Sequence, residues 1–177
     1  MNEYVTAAQL KTSDQVTGTY ADTEYTNAAA AASRAIEEAC GSEEQPRKFW
    51  ADPSPVDRYY TAPVRYGTYA GAYSNVLFLD VDDIAPSVGG TVVGCTVTVD
   101  LDGDGVYETT WTQGTEYYLD PVNAVADDRP FERICLRSLS GAVFPAWPNA
   151  VKVTAHFGWP SVPPQVTSTP TSSRRNC

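Results

Sequence analysis

Thirteen prolines punctuate this 177-residue chain, and none precedes Pro46. Proline lacks a backbone N–H, and its ring clashes with the preceding helical turn, so it breaks a helix interior. The first quarter is therefore free to be helical, and the remainder cannot be so continuously.

Local signals fill in that first quarter. Thr6-Ala7-Ala8-Gln9 has the S/T-x-x-E/Q form of a capping box and predicts a short helix through about Lys11. Val16 to Tyr20 reads as a glycine-containing connection. Asp22 can cap a second helix running to Cys40, with Gly41 as its stop. Tyr25, Ala28, Ala29, Ala32, Ile36 and Ala39 share one face at helical spacing. Alanines there allow a neighbouring helix to approach closely, inside the chain or from another subunit.

From Arg58 onward the pattern changes. "RYYTAP", "NVLFLDVDDI", "TVVGCTVTVDL", "VYETTWT", "EYYLDP", "FERICLRS" and "AVKVTAHFGW" are short, rich in β-branched and aromatic residues, and separated by Gly, Pro, Asn and Asp. The expected class is α+β. Residues 1–45 supply N-terminal helices, 46–160 an antiparallel β-domain of six or seven strands (a small sheet or sandwich), and 161–177 an irregular tail. That tail, "SVPPQVTSTPTSSRRNC" after Pro160, is polar, without helical period, and reads as flexible unless a partner holds it.

The stretch "VTVDLDGDGVYETTW" poses a separate question. Asp100, Asp102, Asp104 and Gly105 occupy positions 1, 3, 5 and 6 of a calcium loop, but position 12 is Trp111, which offers no oxygen. The flanks read as strands. A three-residue hairpin loop, Gly103-Asp104-Gly105 with Gly105 at positive φ, sets Leu101 opposite Tyr107, Val99 opposite Thr109 and Val97 opposite Trp111. It also sets Asp100 opposite Glu108, where like charges repel. The expectation is a turn without a dedicated metal. Asp100, Asp102, Asp104 and Glu108 are the nearest approach to a ligand set, and no cofactor is implied.

Composition narrows the function. A formal net charge of −10 argues against a basic grip on nucleic acid or a polybasic membrane patch. No segment is apolar for long enough to span a bilayer, and the N-terminal residues lack the basic start and apolar core of a signal peptide, which predicts a reducing cytosol. Cys40, Cys95, Cys135 and Cys177 have no CxxC spacing, and His156 is the sole imidazole, so a zinc site is not expected. His156 reads as a structural or exposed histidine, ahead of a general base. There is no G-x-S-x-G elbow and no phosphate loop. Asp80, Asp82 and Asp83 could serve as acid, base or metal ligands but read first as a strand end entering a solvated turn, and Asp127 and Asp128 read as turn residues. The four tryptophans and eleven tyrosines suit a sugar site or ordinary core and interface contacts equally. An enzyme is the least favoured class.

The order of the pieces carries a resemblance. "YVTAAQLK", "DTEYTNAAAAASRAIEEAC", "RYYTAP", "NVLFLDVDDI", "VDLDGDGVYETTWTQGTEYYLDP", "RPFERICL" and "VKVTAHFGWPSVPPQV" follow one another between about residues 4 and 166. This series resembles the head–tail connector (adaptor) proteins of long-tailed bacteriophages, in the form with a β-domain inserted among helices. The resemblance implies a non-enzymatic virion protein at the neck, assembled in the host cytoplasm. It implies a homo-oligomeric ring, commonly of twelve subunits, beneath the portal protein. Such a ring receives head-closure or tail-completion proteins and passes DNA without specific binding, with no membrane involved. The Ala28, Ala32, Ala35 and Ile36 face is the expected contact with a neighbouring helix. The tail, through Val166, Arg174 and Arg175, is the expected contact with portal or a neighbouring subunit. The sequence departs from the family after Val166, where relatives continue into an Ala- and Leu-rich helix. The competing expectation is a calcium-dependent β-module that binds sugar or protein at a surface, suggested by the acidic hairpin and the aromatics.

Overall fold

A computed structural model describes residues 4–19, 21–41, 47–63 and 76–163. Two compact units emerge, one of which is Trp50–Ser161; the residues up to Phe49 belong to the other. The class is α+β: the described residues hold two helices and otherwise antiparallel strands. No helix among the described residues is long and apolar enough to cross a membrane.

The first unit holds α1 (Ala7–Ser13) and α2 (Asp22–Cys40). The capping box forms as the sequence requires: the Gln9 N–H donates to Thr6 Oγ1 at 3.2 Å, and the Thr6 N–H to Gln9 Oε1 at 2.8 Å. The start of α2 differs from expectation. Ala21, in left-handed conformation, is the capping residue, and Asp22 lies inside the first turn. The Asp22 carboxylate is engaged elsewhere, in an ion pair with Lys11 Nζ. Lys11 is only 8% exposed, and a buried ammonium left unpaired is far costlier than a helix end without a side-chain cap. Lys11 also donates to the Gly18 carbonyl at 2.5 Å, so the two charges tie α1 to the start of α2.

The buried side of α2 also differs. Ala28, Ala32 and Ala39, expected to pack, are exposed, whereas Ala29, Ser33 and Glu37 are buried. These three form an i, i+4 ridge, and Tyr4 makes it possible. The Tyr4 N–H donates to Ser33 Oγ at 3.1 Å and its hydroxyl to Glu37 Oε1 at 2.5 Å. The Phe49 N–H donates to the same hydroxyl at 3.0 Å, and the two rings meet edge to face. Burial and the bond to Glu37 push the Tyr4 hydroxyl pKa well up, so it stays protonated and donating.

The second unit contains β1 (Val56–Tyr60), β2 (Phe78–Ile84), β3 (Ser87–Val88), β4 (Thr91–Val92), β5 (Thr96–Val99), β6 (Thr109–Trp111), β7 (Tyr117–Asp120), β8 (Phe131–Leu136) and β9 (Val151–Ala155). They form a four-stranded sheet, β1-β9-β5-β6, a three-stranded sheet, β2-β8-β7, and the small β3-β4 pair. The expected single strand "TVVGCTVTVDL" is split: β4 and β5 lie on either side of Gly94. Alternation drives Val97, Val99, Val151, Val153 and Ala155 inward from the first sheet, and Leu79, Ile134, Leu136, Tyr117 and Leu119 inward from the second. They join Trp111, Phe144 and Phe157 in one core, where burying each large apolar side chain contributes about 1.5–3 kcal/mol.

Gly158 closes this unit. Its φ is +122°, and a Cβ there would lie 2.0 Å from the Trp50 carbonyl oxygen. The contact is with backbone, which cannot swing aside. Gly158→Ala is expected to destabilise the protein by about 3 kcal/mol or more, read as a lowered urea midpoint; an unchanged midpoint would show that the Trp50 segment is free to move.

Candidate functional site: the acidic loop between β5 and β6

The β5–β6 register is the one expected, with Val97 opposite Trp111 and Val99 opposite Thr109. The turn is not. The ladder stops at Val99 and Thr109, so residues 100–108 form one long loop instead of a three-residue turn with Leu101 paired to Tyr107. Asp100 is the reason. It is 5% exposed, and its carboxylate accepts the N–H of Gly103 at 2.7 Å and of Gly105 at 2.9 Å. These bonds curl the chain around one carboxylate. Asp102 accepts the Asp104 N–H at 3.3 Å, and Asp104 the Val106 N–H at 2.7 Å. Asp100, with two backbone N–H groups on its carboxylate, organises the turn. Gly105 has the positive φ expected of it, +89°.

Burial alone would raise the Asp100 pKa. The backbone N–H groups of Gly105, Gly103, Asp102 and Asp104 outweigh it and hold the carboxyl below its ordinary value. Other side chains clamp the loop. The Trp147 indole lies against Gly103, its ring 3.1 Å from where a Cβ would stand, and its N–H donates to the Leu101 carbonyl at 3.3 Å. The Tyr107 hydroxyl donates to the Asn149 carbonyl at 2.6 Å. Nothing in the sequence marked Trp147 or Asn149 for this role, because each lies more than 40 positions away.

The loop brings together Asp100, Asp102 and Glu108, each placing one oxygen within 4.8 Å of the others. Asp104 is not of this group. Three carboxylates suit a hard divalent cation in charge, but calcium takes six to eight oxygens. Position 12, Trp111, is buried against Phe144 with ring centroids 5.4 Å apart, and it cannot complete a shell.

Other expected residues have other roles. Asp80, Asp82 and Asp83 lie within β2, not in a solvated turn. Asp80 pairs with Arg133 at 2.5 Å and Asp82 with Arg58 at 2.6 Å, while Asp83 accepts the Trp159 indole N–H at 3.0 Å. Arg133 on the paired strand, Arg58 on the other sheet and an indole thus take up the charges. His156 Nδ1 lies 2.7 Å from the Asp52 carbonyl oxygen, a structural contact. Asp127 and Asp128 sit in the β7–β8 turn, as read. Cys40, Cys95 and Cys135 are free thiols, and burial pushes Cys95 up to about 12. Ala28, Ala32 and Ala35 are exposed in the single chain, and Ile36 is half-buried. Val166, Arg174 and Arg175 lie outside the described residues. No family model, curated protein or solved structure matches the chain.

Two measurements test the loop. Because the folded-state pKa of Asp100 is depressed, its contribution to stability is present above about pH 4 and is lost as pH falls through the lower folded value. Asp100→Ala should therefore lower Tm most above pH 4, with the gap to wild type closing in acid. A gap independent of pH would refute the charged-acceptor role. Gly105→Val should cost about 1–2 kcal/mol through backbone strain, while calcium or a chelator leaves the wild-type Tm unchanged. A drop of several degrees with chelator would instead make Asp100, Asp102 and Glu108 a structural cation site.

Proposed function

We propose that the chain is a non-enzymatic structural protein of the virion, of the head–tail adaptor kind, assembling into a ring beneath the portal that extends the DNA channel and receives head-closure or tail proteins. The observation that carries this reading is the division of labour on α2. Its polar ridge, Ala29-Ser33-Glu37, is buried within the unit, whereas Ala28, Ala32 and Ala35 face outward. A helix whose small residues are left uncovered offers close approach to a helix of a neighbouring subunit. The order of a helical unit followed by an antiparallel β-unit supports the same reading.

The electrostatics agree. Each phosphate contact adds affinity regardless of sequence, so a channel through which DNA slides should make few of them. A net charge of −10 per subunit repels the backbone and lets it pass.

The second reading, a calcium-dependent β-module binding sugar or protein, is favoured by the Asp100-Asp102-Glu108 group. Mass separates the two: a ring, formed alone or on portal, belongs to the adaptor, and a calcium-dependent monomer to the rival.

Ala32 supplies the direct test. Overpacking a close contact costs about 1–3 kcal/mol, so Ala32→Leu should leave the melting temperature of the isolated subunit nearly unchanged while abolishing ring formation. Rings of wild-type mass and yield would remove the Ala face from the interface.

A further inference from the structure

The three-stranded sheet carries two uncovered apolar patches, one at each end of the same strands. β7 runs from Tyr117 to Asp120, turns through residues 121–130, and returns as β8 from Phe131 to Leu136. At the turn end, Ala124 is fully buried and anchors the loop, with the Ala124 N–H on the Pro121 carbonyl and the Arg129 N–H on the Ala124 carbonyl. Anchoring Ala124 turns Val122 and Val125 outward, at 70% and 55% exposure. This is a projecting knob, and exposed Asp127 lies beside it.

The opposite end is shaped the other way. Tyr118, Leu136, Arg137 and Leu139 line a shallow hollow. Leu139 is 100% exposed and Tyr118 40%. The Arg137 guanidinium is held at the hollow by donating to the Gly114 carbonyl at 2.7 Å, and it has further N–H donors to offer.

We propose that the Val122/Val125 knob of one copy seats in the Tyr118/Leu139 hollow of the next, with Asp127 facing Arg137, so that the β-units associate head to tail. Apolar exposure and charge both match: exposed valines with an acidic neighbour meet exposed Tyr118 and Leu139, on a hollow of mixed polar and apolar lining, with a basic neighbour. The two patches are separated by the length of the strands, so one copy cannot satisfy itself. Each contact leaves one knob and one hollow free, which is the geometry of a heterologous interface, and such contacts close into rings or extend as filaments. The inference rests on the oligomeric reading above and adds to it a contact independent of the α2 face.

The test uses the full chain in sedimentation analysis. Wild type is expected to associate beyond 19.2 kDa as concentration rises. Leu139→Asp spoils only the hollow and Val125→Asp only the knob, and each should weaken association about tenfold or more. In an Ala32→Leu background, which silences the α2 contact, the two mixed in equal amounts retain one intact knob and one intact hollow, so they should form a dimer and stop there. Leu139→Ser and Val122→Asp serve as second variants, and unchanged thermal melting certifies the fold of each. Asp127→Arg should weaken association, and adding Arg137→Glu should restore it. Wild type that stays monomeric at every concentration overturns the proposal, as do variants that associate like wild type or a mixture that yields no dimer. If these variants still form rings while Ala32→Leu does not, this contact is wrong and the adaptor reading stands. If no ring forms on portal in any variant or in wild type, the adaptor reading fails separately.

Discussion

β9 is the constraint on which the β-unit depends. It lies between β1 and β5, pairing Val151 with Tyr60 on one side and with Val99 on the other. The four-stranded sheet therefore cannot exist until a strand near residue 150 meets one near residue 58. Such non-local pairing pays loop-closure entropy before any contact rewards it. Val151, Val153 and Ala155 repay it by pointing into the core with essentially no exposure. The tight passage of Gly158 against the Trp50 carbonyl then fixes the two ends of the unit beside one another.

Asp100 shows how one residue redirects a local preference. Glycine and aspartate spacing alone favours a short hairpin turn, which would leave Asp100 facing Glu108. The fold instead buries the Asp100 carboxylate and surrounds it with backbone N–H groups, which favour its charged form. The loop is shaped by its own hydrogen bonds and by Trp147 and Tyr107. That is the physical ground for placing the calcium-dependent reading second.

The helical unit and the β-unit each leave small or apolar side chains uncovered, and the reason is the same. Each buries one face and leaves another open. On α2 the polar Ser33 and Glu37 are covered because Tyr4 supplies their partners, and the alanines remain outside. On β8 and in the turns flanking it, Ile134 and Ala124 are covered, and Val122, Val125 and Leu139 remain outside. Those uncovered groups, at separate places, are what the self-association proposed above draws on.

Local chemistry was legible in the sequence. The Thr6–Gln9 capping box, the span of α2, the change to strands after the first prolines and the β5–β6 register all follow from neighbours in the chain, where rotamer, backbone and side-chain period suffice. The face of α2 was not legible, since hydropathy passes over Ser33 and Glu37 and cannot see Tyr4. The roles of Asp80, Asp82 and Asp83 were hidden for the same reason: Arg133, Arg58 and Trp159 come from distant positions. The sequence by itself determined which segments become helices and strands and where acidic groups cluster. Only the tertiary structure decided which of those groups are buried, paired or left exposed, because that depends on partners brought together from distant parts of the chain.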